Sequence, residues 1–504
     1  MSPPVCCKTS VPDYADSLYA MLTIAADILI LGGGASGLLA AYAAAREGAS
    51  VIVLEKMPRP GRKIMITGKG RCNFTNVKPW DAFSRHIRTK ANFLRPAFYN
   101  LPPEVMLDFL EAQRLPVVVE HGDRAFPSSY KASDVVDALV GAARRAGAQI
   151  QTEAEVTDVL RDPADGSFVV SCRDGRTFSG LRLVVATGGL SYPRTGSTGD
   201  GYRWARQSGH RLVECFPSLT ALVPKGYKLT EVAPTVGQVA AKVLSGYDPG
   251  QARKATPWQE EAPVLPPGYP QPAGHLDRAL PLSEFGRSLC GIHLRNVALT
   301  LVVNGNEVRS ETGELDFTDG GIEGPVGFAL SRDAVKAIVN GGKVRLLLDL
   351  KPGVPPEELQ ARLKSLWAEI QKDPRSRSGT IRSLLKVLLG KLMPWELVAP
   401  FLQSAPAILS GRKDNVRIDF SALAQALTAW PFDVAGFVGY ERCVVTAGGV
   451  STDDVLPKTL ESRLVKGMYF CGEVLDIDAD TGGYNLQCAF STGYLAGLSA
   501  AKSL

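Results

Sequence analysis

Apolar and polar positions along the chain change period several times, and the first change is the sharpest. After Asp27 comes the unbroken run Ile28-Leu-Ile-Leu, which reads as a buried parallel strand. It ends in Gly32-Gly-Gly-Ala-Ser-Gly, and an alanine-rich helical pattern follows from Leu38 to Arg46. A second apolar run, Ser50-Val-Ile-Val-Leu, ends at Glu55. Strand, helix and strand thus occupy residues 24 to 56. Pro103 to Arg114 and Ala132 to Ala146 show amphipathic helical spacing, whereas Gln149 to Leu160, Phe168 to Cys172 and Leu181 to Ala186 read as strands. From Leu219 to Asp319 the pattern is rich in strands, and Val297 to Val303 followed by Asn304-Gly305 carries a hairpin signal. Helical spacing returns between Pro355 and Trp430, with starts at Pro356, Ile381 and Phe420. Strand and glycine-rich sequence resumes at Arg442, and no internal repeat is evident.

Composition narrows the class. A chain of 504 residues exceeds one ordinary core, so two or three domains are expected. The formal charge of +5 permits an acidic or nucleic-acid partner without demanding one. Nine cysteines form no C-x-x-C pair and only Cys6 and Cys7 are adjacent, which suggests neither a zinc cluster nor a secreted disulfide framework. No apolar stretch approaches eighteen residues, and the first twenty lack the basic and apolar regions of a signal peptide. The expectation is a cytoplasmic protein without a membrane partner, in which residues 1–22 form a disordered extension. Tyr247 to Leu282 carries eight prolines and reads as a long surface loop.

The glycine turn specifies chemistry. Gly32, Gly34 and Gly37 fit G-x-G-x-x-G: a tight turn, a close backbone approach to pyrophosphate, and close helix–strand packing. The helix start offers unpaired N–H groups to phosphate. Glu55, eighteen residues after Gly37, stands where a carboxylate accepts ribose hydroxyls and repels a 2′-phosphate. The competing reading is a packing turn that binds nothing. Near the other end, Gly467-Met-Tyr-Phe-Cys-Gly-Glu-Val-Leu-Asp is a short strand ending in glycine and two carboxylates, and Thr481-Gly-Gly-Tyr-Asn-Leu-Gln opens an alanine-rich helix. Two anion-friendly helix starts framing one long ligand point to FAD rather than NAD alone. Glu473 then suits the ribityl hydroxyls, and Gly482, Gly483, Tyr484 and Asn485 the ring end; the alternative is a buried, capped helix.

Longer motifs carry a family resemblance. Arg62-Lys-Ile-Met-Ile-Thr-Gly-Lys-Gly-Arg-Cys-Asn, Arg124-Ala-Phe-Pro-Ser-Ser-Tyr-Lys-Ala and Ala186-Thr-Gly-Gly-Leu-Ser-Tyr-Pro-Arg-Thr-Gly-Ser-Thr-Gly-Asp-Gly, together with Val445-Thr-Ala-Gly-Gly-Val and Lys458-Thr-Leu-Glu-Ser-Arg, resemble the BaiN/RdsA-like FAD-dependent oxidoreductases over roughly residues 24 to 500. The resemblance implies an α/β fold: a Rossmann-like FAD domain formed by both chain ends (23–215 and 435–504), an inserted β-rich, barrel-like domain (216–350, with the proline-rich loop 247–282) and a small helical domain (351–434). It implies FAD contacts at Gly32, Gly34, Ala35, Ser36, Gly37, Glu55 and Lys56, then at Lys63, Gly70, Arg71, Cys72 and Asn73. Val156, Thr187, Gly188, Gly472, Glu473, Gly482, Gly483 and Asn485 complete the set. Two departures stand out. Where the family carries a His-Tyr-Gly-x-Ser-Gly-Pro segment this chain reads Asp319-Gly-Gly-Ile-Glu-Gly-Pro, and the 247–282 stretch looks inserted.

The expected reaction is reduction of a conjugated C=C bond by hydride passed from NAD(P)H through FAD, on a small enone or on a uridine of ribosomal RNA. A flavin oxidase of a small amine or ketone, and a flavoprotein that uses FAD as a structural or redox switch, are the rival readings. No second glycine fingerprint marks a separate NAD(P)H domain. Cys72 and Tyr192 are the candidate proton donors, against readings as a packed residue in a tight loop and an anchor for its own turn. Lys63 and Arg71 suit phosphate or the flavin edge, and His210 a structural role. Lys372, Arg375, Arg377, Arg382, Lys386 and Lys391 place six cations in twenty residues against Asp373 alone, either a solvated face or a contact for RNA phosphate.

Overall fold

The computed structural model describes residues 23–229, 271–374, 379–410 and 416–504. Residues 1–22, most of the proline-rich stretch, Arg375 and Arg377 lie outside the described residues. Two compact units are present, one made of residues 23–189, 195–213 and 448–504, the other of Leu190–Arg194 and Glu214–Ala447.

The first unit is built on a seven-stranded sheet. β1 (Thr23–Leu31) lies in parallel register between β2 (Val51–Leu54) and a later strand, β6 (Thr177–Val185), with Ile28 opposite Val51 and Arg182. Ile28 to Leu31 are covered on both faces, which is why the run is continuously apolar instead of alternating. β3 (Gln149–Gln151) pairs with β2 on one side; on the other, β5 (Phe168–Cys172) pairs antiparallel with β6, and β4 (Val156–Arg161) pairs antiparallel with β5. The single strand expected over 149–160 is therefore two. The chain leaves β3 and crosses the end of β2, where Ala154 donates its N–H to the Glu55 carbonyl at 2.9 Å. β7 (Met468–Phe470) returns from far along the chain to pair in parallel with β6.

Two helices cover this sheet and meet along small residues. α1 (Ala35–Arg46) buries Ala40, Ala41, Ala43 and Ala44, and α2 (Tyr484–Lys502) presents Gly493 and Gly497 to it. A Cβ on Gly493 would overlap the Ser36 backbone, and one on Gly497 the Ala40 backbone. Ser36 and Ala40, like Gly493 and Gly497, are one turn apart, so the helix backbones touch along a seam with no room for a methyl group.

In the second unit, Leu222–Pro224, Gly321–Glu323, Asn306–Thr318, His293–Val303, Val344–Asp349 and Trp430–Phe437 close into an antiparallel barrel. Asn304 and Gly305 both take positive φ at the expected hairpin, where Val303 faces Asn306. The strand Trp430–Phe437 begins inside the segment read as a separate helical domain and closes the barrel by pairing with Leu222–Pro224. The helices Pro356–Lys372, Ile381–Gly390, Trp395–Ser404 and Phe420–Thr428 share one apolar core with it, in which Leu363, Leu388, Phe401 and Leu427 pack with Trp430, Leu346 and Leu348. Barrel and helices are thus one unit where the pattern suggested two. Among the described residues no helix is long and apolar enough to cross a membrane.

One buried histidine reports on stability. His210 is 3% exposed; its Nδ1 lies 3.1 Å from the Ala205 carbonyl and its Nε2 2.6 Å from Ser462 Oγ, an arrangement that suits the neutral ring. Burial, the largest influence, holds its pKa below the ordinary value. The unfolded chain therefore binds the extra proton first, so stability should fall as pH drops below the unfolded-state value of about 6.5. Urea melts between pH 7.5 and 5 should show that fall flattened in His210→Gln; an unchanged slope would remove His210 as the cause.

Candidate cofactor site

The glycines after β1 divide into two kinds. Gly32 has φ +103°, and a Cβ there would lie 2.6 Å from the Ala186 carbonyl oxygen; a Cβ on Gly37 would overlap the carbonyl of Gly32. These two serve packing. Around Gly34 a Cβ would meet nothing within 4 Å, yet its φ of −82° is open to any residue. A turn used only for packing has no reason to keep that position bare, whereas a turn approached by phosphate does. Gly34 is the N-cap of α1, with no side-chain cap and no acid in the first turn, so the N–H groups of Ala35, Ser36 and Gly37 begin a helix that welcomes an anion.

Glu55 stands beside this turn at the end of β2. Its Oε2 accepts from the Gly33 N–H at 2.7 Å and its Oε1 from the Met57 N–H at 2.8 Å. Burial raises its pKa, and those two N–H groups with Lys56 and Arg62 oppose the rise. Lys56 is itself committed: its Nζ reaches Asp200 at 2.7 Å and also donates to Thr198, tying the 196–200 loop to β2. Val156, at the start of β4, follows the crossover that touches Glu55, and its side chain is buried.

The other end is formed by returning chain. Gly482 and Gly483 take φ of +117° and +96° before α2, which begins with no side-chain cap and no acid in its first turn. A Cβ on Gly483 would overlap the Thr75 carbonyl and lie 2.8 Å from Asn73 Oδ1. That Asn73 oxygen is buried without a hydrogen-bond partner, an acceptor beside the helix start. Gly70 has φ +87° and open space around it, and the exposed Arg71 lays its guanidinium 5.2 Å from the centre of the Phe126 ring. Lys63 Nζ and Glu473 Oε2 pair at 2.7 Å. A Cβ on Gly188 would sit 2.9 Å from Ser197 Oγ and 3.9 Å from Glu473 Oε2, while one on Gly472 would overlap Ser36 Oγ, and Thr187 packs on Gly201. The ends of β1, β6 and β7 therefore gather Ser36, Lys63, Gly188, Gly472 and Glu473. Asn485 spends its amide on its own loop, accepting from the Ala479 N–H at 2.9 Å and donating to the carbonyls of Ala479 and Asp480. It shapes the turn. Two uncapped helix starts, bare backbone at Gly34, a carboxylate after β2 and a Lys63–Glu473 pair together fit an adenine dinucleotide carrying a second ring.

The proton-donor candidates fare differently. Cys72 is fully buried at φ +60°, among Ile64, Phe74, Leu38 and Phe490, and burial pushes its thiol up to about 12. A thiol closed off from the surface, with so weak an acidity, suits packing rather than proton delivery. Tyr192 belongs to the second unit, where it takes φ +50° and donates its N–H to the Tyr440 carbonyl at 2.9 Å, and burial raises its phenol. It anchors its turn. Arg382, Lys386 and Lys391 are exposed along and just beyond the Ile381–Gly390 helix, with the exposed Trp395 ring against Gly390.

One constellation of side chains stands apart from every motif of the sequence. Asp480 is held by Arg88 through Nε and Nη2, each at 2.5 Å, and its Oδ2 lies 3.0 Å from His86 Nδ1. No motif marks it, because His86 and Asp480 stand 394 positions apart.

The model of the HI0933-like protein Rossmann domain matches residues 26–499. The chain is 30% identical over 477 residues to the 3-dehydro-bile acid delta(4,6)-reductase of Clostridium scindens, covering 94% of this chain and 98% of that one. It is 27% identical to the ribosomal RNA dihydrouridine synthase of Haemophilus influenzae over 94% of this chain and 98% of that one, and 28% identical to that of Escherichia coli over 95% and 99%. The glycine turn, the returning C-terminal segment and a family match spanning both units lead to one conclusion: the chain belongs to the HI0933-like family and is an FAD-dependent oxidoreductase.

Proposed function

We propose that the chain reduces a conjugated C=C bond of a small enone, with NAD(P)H as the source of electrons. The observation that carries this reading is the 30% identity, across nearly the full length of both chains, to a reductase named for a bile-acid double bond. When bound, FAD supplies two-electron hydride chemistry, taking hydride from a nicotinamide and passing it to an electron-poor carbon. The protein's own groups orient that cofactor. The α1 start at Gly34 receives the pyrophosphate, Glu55 the adenosine ribose, and Lys63 with Glu473 the ribityl chain. The α2 start at Gly483 stabilises negative charge at the ring end.

A second reading is reduction of a uridine in ribosomal RNA, the same hydride addition to a C=C bond. Two relatives named for that reaction support it, as do the exposed cations Arg382, Lys386 and Lys391. The experiment is anaerobic oxidation of NADPH by the purified, FAD-loaded protein, offered cyclohex-2-enone in one arm and 23S rRNA from cells lacking the gene in the other. Turnover with the enone supports the first reading, and dihydrouridine in the RNA the second. Rapid reoxidation by air with peroxide release, and neither of these, replaces both with an oxidase.

A further inference from the structure

The charged cluster around His86 is built into the turn that begins α2. Residues 86–88 and 478–480 run antiparallel: Ile87 bridges to Ala479, Arg88 donates its N–H to the Asp478 carbonyl at 2.8 Å, and Asp480 donates its own to the His86 carbonyl at 2.9 Å. Asp480 comes two residues before Gly482. Its carboxylate is fastened from one side by the Arg88 guanidinium and from the other takes the His86 Nδ1–H, leaving that ring's Nε2 as the edge able to exchange a proton. The imidazole lies flat on Tyr484, the first residue of α2, with ring centres 4.2 Å apart and planes 17° apart. Burial raises the Tyr484 phenol well above its ordinary value, so that ring faces His86 uncharged. The other charged groups around it are buried Asp478, exposed Arg85, and a Lys78–Asp123 ion pair beside Tyr484. About a third of the His86 side chain remains exposed, unlike the closed-off thiol of Cys72.

An arginine-fixed carboxylate orienting a partly exposed imidazole at the mouth of an uncapped helix is a wasteful way to build a strand pair and an economical way to deliver a proton. We propose that His86 is the proton donor of the reductase reaction, with Asp480 and Arg88 as its positioning residues. The inference rests on the C=C reductase reading. As hydride from the reduced cofactor, which NAD(P)H replenishes, bonds to one carbon of the acceptor, the π pair shifts to the neighbouring carbon. That carbon takes the proton from Nε2 of the imidazolium. The ring is left neutral with Nδ1–H still on Asp480, and solvent restores the proton.

The test compares FAD-loaded wild type, His86→Ala and His86→Gln. Reduction by NADPH and FAD affinity should stay within about threefold of wild type, because neither step uses the proton. Anaerobic reoxidation by cyclohex-2-enone should fall about a hundredfold in both variants, and added imidazole should restore part of it in His86→Ala. Reoxidation at the wild-type rate would overturn the assignment. So would a loss that imidazole does not repair, accompanied by weaker FAD binding and a lower melting temperature, since that is what a mere strut would show. If the wild type itself reduces no C=C acceptor, the reductase reading falls on its own. His86 is then judged by the absorbance of bound reduced flavin, which His86→Gln must shift if the imidazole borders the ring and leave unaltered if it does not.

Discussion

Gly34→Asp should weaken FAD binding by about a thousandfold while leaving the apoprotein as stable as wild type or slightly more so. The two effects separate because Gly34 alone among the fingerprint glycines has empty space around its Cα and an ordinary φ of −82°. Aspartate is among the best N-cap residues and gains a few tenths of a kcal/mol over glycine there, by accepting from the N–H groups that α1 now leaves uncapped. The same carboxylate would stand where the pyrophosphate belongs. Two unit charges about 4 Å apart repel by about 4 kcal/mol near a protein surface, roughly a thousandfold in affinity. Flavin fluorescence titration and thermal melts of the apoprotein read the two quantities independently. Tight FAD binding by the variant would mean that the dinucleotide does not approach this turn; a collapsed melting temperature would mean that Gly34, like Gly37, is there for packing.

Gly493→Val should do the reverse and cost both together. A Cβ at 493 has no space to enter, since it would overlap the Ser36 backbone in the first turn of α1. Relief requires the two helices to part, and overpacking of this kind costs about 1–3 kcal/mol, with a valine against rigid backbone toward the upper end. The displaced groups would be Ser36, whose hydroxyl already abuts Gly472, and the neighbouring N–H groups expected to hold phosphate. The melting temperature and FAD affinity should therefore decline in parallel, with Gly493→Ala intermediate. A valine variant that melts like wild type would show that the seam between α1 and α2 yields more easily than its geometry implies.

What could be read in advance divides according to the distance between interacting residues. The β1–α1–β2 unit was legible because its logic is local: an apolar run, three glycines and an acid within about thirty residues. The hairpin at Asn304-Gly305 was legible for the same reason, as turn chemistry resides in the two residues that make the turn. The C-terminal return was legible only as a second helix start with its own glycines. The strand Trp430–Phe437 was not, since apolar residues beside a helical stretch carry no sign of the barrel partner at Leu222. The glycine seam, the Lys56–Asp200 pair and the Arg88–Asp480–His86 cluster were equally invisible, each joining side chains that only the folded chain brings within reach. Cys72 shows the opposite failure. A motif singled it out, and burial, which no motif reports, makes it a packing residue.

The sheet's dependence on β7 and α2 has a consequence for synthesis. Leu183 waits for Met468 as its strand partner, and Ser36 and Ala40 wait for Gly493 and Gly497. At about 5–20 residues per second, the ribosome needs roughly 15–60 s to travel from the end of β6 to the start of α2. Throughout that interval the alanine face of α1 has no cover and the Gly482–Gly483 turn does not exist. The inserted barrel unit, by contrast, is contiguous from Glu214 to Ala447 apart from one five-residue piece made earlier, and can close while the ribosome is still at work. Yellow colour would then certify a finished chain: prematurely terminated products would remain flavin-free, with an exposed apolar helix face open to chaperones and proteases, and could not carry out redox chemistry.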